Sequence, residues 1–357
     1  MDGLTRRRNL ARVSGENAVI QVAWMYYQDG QNQQEIAAAL GISRATVVNY
    51  LQEAREKGLI RITLAAPAFT MHRLAQALND RFGLQGSYVI PDEGLVTEGT
   101  FLRVVRGAAN WLPDLIAPGD RLGVAWGRTV YEMAEMVEPA RIEDLAVLQL
   151  VGSMATPYGF TAEACSTRLA QRLGARCLNL HAPAILSRAQ LAAELREEPI
   201  LKAQLDQLET VNKLLFSVGT ATSESHIVLS GLATSADLDW YVDHGAVGVI
   251  CGRFIDAEGR QLPGPMEDRM IGVPLARLVG LEMGILVTPG LDKVEATRAA
   301  IRGGYVTHLV TATSVAEALL SAPSAPATPL TLNRSLQVAE HGGHAFLGRG
   351  AHPAFGQ

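Results

Sequence analysis

The sequence predicts an α/β protein in two parts, a winged-helix-like helix-turn-helix module followed by a Rossmann-like, doubly wound sheet. Residues 33–57 hold two short amphipathic runs separated by Gly41. Beyond about residue 86, apolar stretches of strand length alternate with stretches of helical period. Several of those apolar stretches end in glycine-bearing turns.

Apolar residues recur at helical spacing from Val19 to Tyr27, and "QDGQN" breaks the run. Gln33 to Leu40 follows as a short helix with Ile36, Ala37 and Leu40 on one face. Gly41 stands where a helix end turns left-handed most cheaply. Ser43 is a good N-cap for a helix from Arg44 to Lys57, in which Val47, Leu51 and Ala54 form the apolar stripe. Gly58 stops that helix, and "LIRITL" alternates like a short strand. Residues 65–90 read as a helical linker region ending in the strand candidate "GSYVIP". Further strands are expected at "DRLGVAWGRT", "LAVLQLVGS", "LLFSVGT", "GAVGVICGRF", "MGILVTPG" and "VTHLVTA". Continuous apolar character is typical of strands covered on both faces. The helices between them fit Thr97–Leu112, Val130–Val137, Ala162–Gly174, Gln190–Leu208, Asp237–His244, Lys293–Gly303 and Ser314–Ser321. From Pro323 the chain is rich in Pro, Gly, Ala and Ser without periodicity, and reads as a disordered tail. The expected division is therefore 1–64, 65–90, 91–322 and 323–357.

Composition narrows the function. The 357 residues are 48% hydrophobic and 19% charged, as in globular proteins. No apolar run reaches membrane-span length, and no signal-peptide stretch follows the basic N-terminus, so a cytoplasmic protein without membrane attachment is expected. Three widely spaced cysteines argue against a disulfide framework or a structural zinc site, and no cofactor motif is present. Residues 1–70 hold eight Arg or Lys against six Asp or Glu, whereas the remainder holds 23 against 30. A mildly positive front on an acidic body suits a module that meets phosphates.

The front pattern is that of a DNA-reading helix-turn-helix, whose second helix needs its apolar side held and its N-terminal half free for the major groove. On the free face stand Arg44, Ala45, Thr46, Asn49 and Tyr50. Arg can pair with guanine edges or phosphate, and Asn with adenine. Gln33, Gln34 and Ser43 lie at the two helix starts, where amides and side chains can fix phosphate, and Arg55, Lys57 and Arg61 can add backbone contacts.

The back part offers strand-end loops. "GVAWGRT" puts Gly127, Arg128 and Thr129 at a strand end before a helix, an arrangement that presents amides, a hydroxyl and a guanidinium to an anion. Gly152 and Ser153, Gly219 and Thr220, then Gly252, Arg253 and Asp256, and finally Gly290 and Lys293 occupy comparable positions. Ligands of open α/β sheets bind at the carboxyl ends of strands, so these loops are expected to line one pocket. Cations, amides and hydroxyls there suit a phosphorylated sugar or polyol.

At these residues the chain resembles the SorC/DeoR-type family of sugar-binding transcriptional regulators. The resemblance runs from about Ala18 to Leu320 and rests on "QQEIAAALGISRATVVNYLQEAREKGLIRI", "GVAWGRTVYEMA", "LQLVGS", "APAIL", "GAVGVICGRFIDAEG", "GVPLARL" and "KVEATRAAIRGGYVTHLVT". It implies an effector domain with the fold of sugar-phosphate isomerases and CoA transferases, operator DNA as partner, and a homo-oligomer, dimer or tetramer. It also implies a phosphate held by the loop of Gly127, Arg128 and Thr129, a sugar facing Gly152 and Ser153, and an anionic group within reach of Lys293. Two departures from the family pattern matter: Val249 replaces a common acidic residue, and Pro289-Gly290 replaces a glycine pair. A lysine at Val151 could have formed a Schiff base with an aldehyde sugar, which valine cannot. Effector binding is expected to be non-covalent. The rival class is a sugar-phosphate isomerase-like enzyme, which would need a positioned base. The nearest acids, Asp256 and Glu224, sit in no recognisable catalytic motif, and a fused helix-turn-helix has no use in an isomerase.

Overall fold

The computed structural model of the chain describes residues 16–60, 65, 67–70, 72–93 and 97–321. Most of the strand expected at "LIRITL", the tail from residue 323, and Arg61 lie outside the described residues.

Three helices open the chain, α1 (Glu16–Tyr27), α2 (Gln33–Leu40) and α3 (Arg44–Glu56). Asn32 starts α2 with a reciprocal cap: its Oδ1 accepts from the amides of Gln34 and Glu35 at 3.0 Å, while Glu35 Oε2 accepts from the Asn32 amide at 2.8 Å. Gly41 closes α2 in the left-handed region with φ 66°. Ser43 Oγ accepts from the Thr46 amide at 3.0 Å and starts α3. Val22, Ile36, Val47 and Leu51 are buried together, with Val19, Ala23 and Ala54 in a second small cluster beside the half-buried Tyr50 and Ile60.

The remainder builds one parallel sheet wrapped by helices. In chain order it comprises α4 (Pro67–Thr70), α5 (Arg73–Phe82), β1 (Gly86–Ile90), α6 (Thr97–Trp111), β2 (Arg121–Val124), α7 (Arg128–Met136), β3 (Ala146–Gln149), α8 (Ala162–Leu173) and β4 (Arg176–Leu178). Then come α9 (Ala189–Glu197), α10 (Pro199–Leu208), β5 (Lys213–Phe216), β6 (Gly219–Thr220), α11 (His226–Leu229), α12 (Ser235–Asp243), β7 (Gly248–Ile250) and β8 (Arg253–Ile255). β9 (Met283–Thr288), α13 (Val294–Arg302), β10 (His308–Ala312) and α14 (Thr313–Ser321) complete it. Seven strands pair in parallel in the order β1-β10-β9-β5-β2-β3-β4. From β2 the chain moves outward through β3 and β4; from β5 it moves the other way through β9 and β10. The order therefore reverses between β2 and β5, and a crevice opens there at the carboxyl ends of the strands.

Three local expectations are corrected. The stretch 65–90, read as a linker region, builds into the sheet's core: Ala75 and Leu78 of α5 are fully buried, and β1 pairs with β10. The helix expected over 190–208 is two helices, because Pro199 cannot donate an amide and begins α10 at its first turn. "GAVGVICGRF" is a hairpin, not one strand: β7 and β8 pair antiparallel beside β6, and the chain reverses at Cys251 (φ 49°) and Gly252 (φ 78°). Two consecutive positive φ values make the tight turn that matches strand twist. Cysteine is an unusual residue for the first of them, which hid the turn in the sequence.

Candidate functional site

At the reversal point of the sheet lies a cavity of about 320 Å³, a volume suited to a small metabolite. Its lining comes from four strand ends or turns and two helix starts. Gly127, Arg128 and Thr129 follow β2; Ser217, Gly219 and Thr220 follow β5; Cys251 and Gly252 form the hairpin turn; Gly290, Asp292 and Lys293 follow β9. Thr97, Glu98 and Phe101 of α6 and the segment Glu224–Ile227 close the remaining sides.

Backbone shapes one wall of this cavity. Gly127 takes φ 128°, a conformation that side-chain-bearing residues rarely adopt, and stands at the N-cap of α7 without a capping side chain. The first amides of α7 are thus left for a ligand, at the positive end of the helix dipole. Arg128 is held by α6: its Nη2 donates to Glu98 Oε1 at 2.6 Å, and its guanidinium stacks 4.3 Å from the Phe101 ring centroid. Lys293 is half-buried, and among the described residues its ammonium makes neither a hydrogen bond nor an ion pair. Burial holds its ammonium below the ordinary lysine range, partly offset by Asp292 and reinforced by Arg128. His226 stands exposed at the wall beside Phe160, with ring centroids 4.9 Å apart. Partial withdrawal from water, then Lys293 and Arg128, hold its imidazole below the usual histidine range. Arg128 thus disfavours the charged forms of both Lys293 and His226, and an anion bound among them would favour those charged forms.

Of the twelve residues singled out in the strand-end loops, eight line this cavity: Gly127, Arg128, Thr129, Gly219, Thr220, Gly252, Gly290 and Lys293. The other four do not. Gly152 is a packing glycine: a Cβ there would stand 2.8 Å from the backbone of Ala182 and Ala184. Ser153 donates its hydroxyl to the Leu180 carbonyl at 3.1 Å. Arg253 is buried beneath the hairpin, donating to the Val273 carbonyl at 3.0 Å and ion-paired with Glu267. Asp256 caps its own turn, its Oδ1 accepting from the amides of Glu258 and Arg260. Ser217, Ser225, His226 and Phe101 went unnoticed in the sequence. Ser217 alone left a trace there, as a hydroxyl one residue beyond the strand "KLLF".

On the front module, Gln34, Ser43, Arg44, Ala45, Asn49 and Arg55 are exposed. Arg44 Nε donates to Gln33 Oε1 at 3.1 Å, linking the starts of α2 and α3. Thr46 pairs its hydroxyl with Ser43 at 2.8 Å, and Arg55 Nε reaches the Leu51 carbonyl at 3.3 Å. Tyr50, expected on the reading face, is half-buried and packs against both small clusters. Among the described residues no helix is long and apolar enough to cross a membrane.

Residues 66–321 match the family described as "Putative sugar-binding domain", and residues 18–62 match the "Homeodomain-like domain". The chain is 37% identical over 323 residues to the uncharacterized transcriptional regulator YjhU of Escherichia coli, covering 89% of this chain and 98% of that one. It is 30% identical over 307 residues to the deoxyribonucleoside regulator of Bacillus subtilis, covering 85% and 96%. The full-length sorbitol operon regulator SorC of Klebsiella pneumoniae shares the fold with a TM-score of 0.70 at 24% identity, over 86% of this chain and 99% of that one.

Proposed function

The chain belongs to the family of transcriptional regulators built on this sugar-binding domain, and from that premise we propose that a phosphorylated sugar or polyol, held without a covalent bond in the cavity, sets its affinity for operator DNA. Its relatives are regulators and not isomerases, so the cavity senses a metabolite rather than converting it. One observation supports the anionic ligand above the others: the Lys293 ammonium, with Asp292 nearby, forms no ion pair among the described residues and shares the cavity with Gly127 at the start of α7, where no side chain caps the helix. Leaving a cation so placed is costly unless an anion completes it.

In this reading Arg44, Ala45, Thr46 and Asn49 of α3 meet the major groove, with Gln33, Gln34, Ser43 and Arg55 toward phosphates. Residues 1–64 form the reading head. The sheet, from α5 onward, senses the effector and joins copies of the chain into a dimer or tetramer in the cytoplasm, so that paired heads meet a repeated or palindromic operator. The effector acts by preferring one arrangement of subunits, and only a difference in its affinity for the two arrangements moves the balance. Fluorescence anisotropy on operator DNA tests the division. Arg44→Ala or Asn49→Ala should weaken operator binding by about 1–3 kcal/mol, while stabilisation by the effector is retained. Loss of both properties in one variant would count against separate reading and sensing parts.

A further inference from the structure

Five side-chain polar atoms are buried without a partner among the described residues, and two of them are hydroxyls: Ser217 Oγ and Ser225 Oγ. Both residues line the same cavity. Ser217 lies between β5 and β6. Ser225 is 7% exposed and stands at the N-cap of α11, yet its side chain makes no capping bond. A serine in that position normally accepts an amide of the helix it starts. Here the helix does without it, and the hydroxyl stays free.

Some polar side chains nearby are already engaged. Thr220 and Thr222 share a hydrogen bond at 3.0 Å, and Arg128 is paired with Glu98. The hairpin contributes Val249 and the Cys251 thiol, which burial pushes up to about 12, so it stays protonated and neutral. Neither can satisfy a ligand hydroxyl well. A buried hydroxyl without a partner is destabilising, so native proteins rarely keep one, let alone two on a single cavity.

We propose that Ser217 and Ser225 form a second subsite of the cavity, which reads the hydroxyl groups of the ligand while Lys293 and the α7 amides hold its anion. This rests on the reading of the cavity as an effector site. Each serine hydroxyl can donate one hydrogen bond and accept others, so an alcohol group can use both capacities, whereas a carboxylate can use only the donor. The ligand class is therefore a polyhydroxylated phosphate monoester, and analogues lacking the matched hydroxyls bind less tightly.

Isothermal titration of the full chain tests this, with inorganic phosphate, free pentoses and hexitols, and their monophosphates as probes, on the wild type and on Ser217→Ala, Ser225→Ala and the double variant. The best sugar monophosphate should bind the wild type at least tenfold tighter than inorganic phosphate. Each substitution should weaken it about five- to tenfold and leave phosphate binding unchanged. Ligand-free melting temperatures should hold or rise, since an unsatisfied group is removed. Unchanged sugar-phosphate affinity in the double variant, an equal loss for phosphate, or a melting temperature lowered by several degrees would overturn the subsite. If free polyols bind but phosphate and monophosphates add nothing, and the serine variants still lose affinity, the subsite stands and the anionic reading falls. If none of the probes binds the wild type, both fall.

Discussion

Lys293 shows how far a single residue can be read. In the sequence it was a lysine at the opening of a helix, and "TPGLDK" placed it at a strand end. The structure adds that its ammonium forms no ion pair among the described residues, and that burial holds it below the ordinary range despite the nearby Asp292 carboxylate. Lys293→Met should remove anion-induced thermal stabilisation and weaken phosphate-ester binding about tenfold or more, as expected for the loss of a hydrogen bond to a charged group. The effect should also be visible in pH: a lowered ammonium loses its proton earlier, so as pH rises anion binding by the wild type should begin to fade before the ordinary lysine value of about 10.4. Arg253 shows the opposite outcome. Like Arg128, it follows a strand-end glycine, and spacing alone cannot separate them. What separates them is distant in sequence: Glu267 and the Val273 carbonyl take up Arg253 inside the fold. The serines escaped for the same reason, since having no partner is a property of the tertiary structure.

At the scale of elements, most strands and helices of the sheet were legible because buried parallel strands are continuously apolar and the helices between them keep one apolar face. The misreadings fall where one residue changes the path, at Pro199 and at the Cys251-Gly252 turn. Register and support were not legible. Lys213 at the start of β5 pairs with Asp120 before β2 at 2.7 Å and donates to the Leu115 carbonyl at 2.5 Å. Burial raises the carboxyl pKa of Asp120, but bonds from Lys213, Asn212 and the Ala117 amide outweigh that and hold it below the usual range. A depressed carboxyl stabilises the fold above its unfolded pKa, and that stability is lost as pH falls through the folded value. Asp120→Asn should therefore cost about 3–5 kcal/mol in urea unfolding at pH 7. The gap to the wild type should narrow as pH drops below about 4.

For the whole molecule, sensing and reading are linked by thermodynamics whatever route connects them. If the effector changes operator affinity by some factor, operator DNA must change effector affinity by the same factor. Calorimetric titration of the effector with and without operator should return the ratio seen in anisotropy with and without effector. Unequal ratios would mean that a further species, such as a different oligomer, takes part.

The edge of the sheet has a consequence for synthesis. Strand β1 ends at Ile90, and its partner β10 does not begin until His308. A chain leaving the ribosome at roughly 5–20 residues per second exposes β1 for on the order of ten to forty seconds before that partner exists. The three front helices bury apolar residues on one another within the first sixty positions. A nascent chain thus has the residues of its front helical core in hand long before the last strand of the sheet is made.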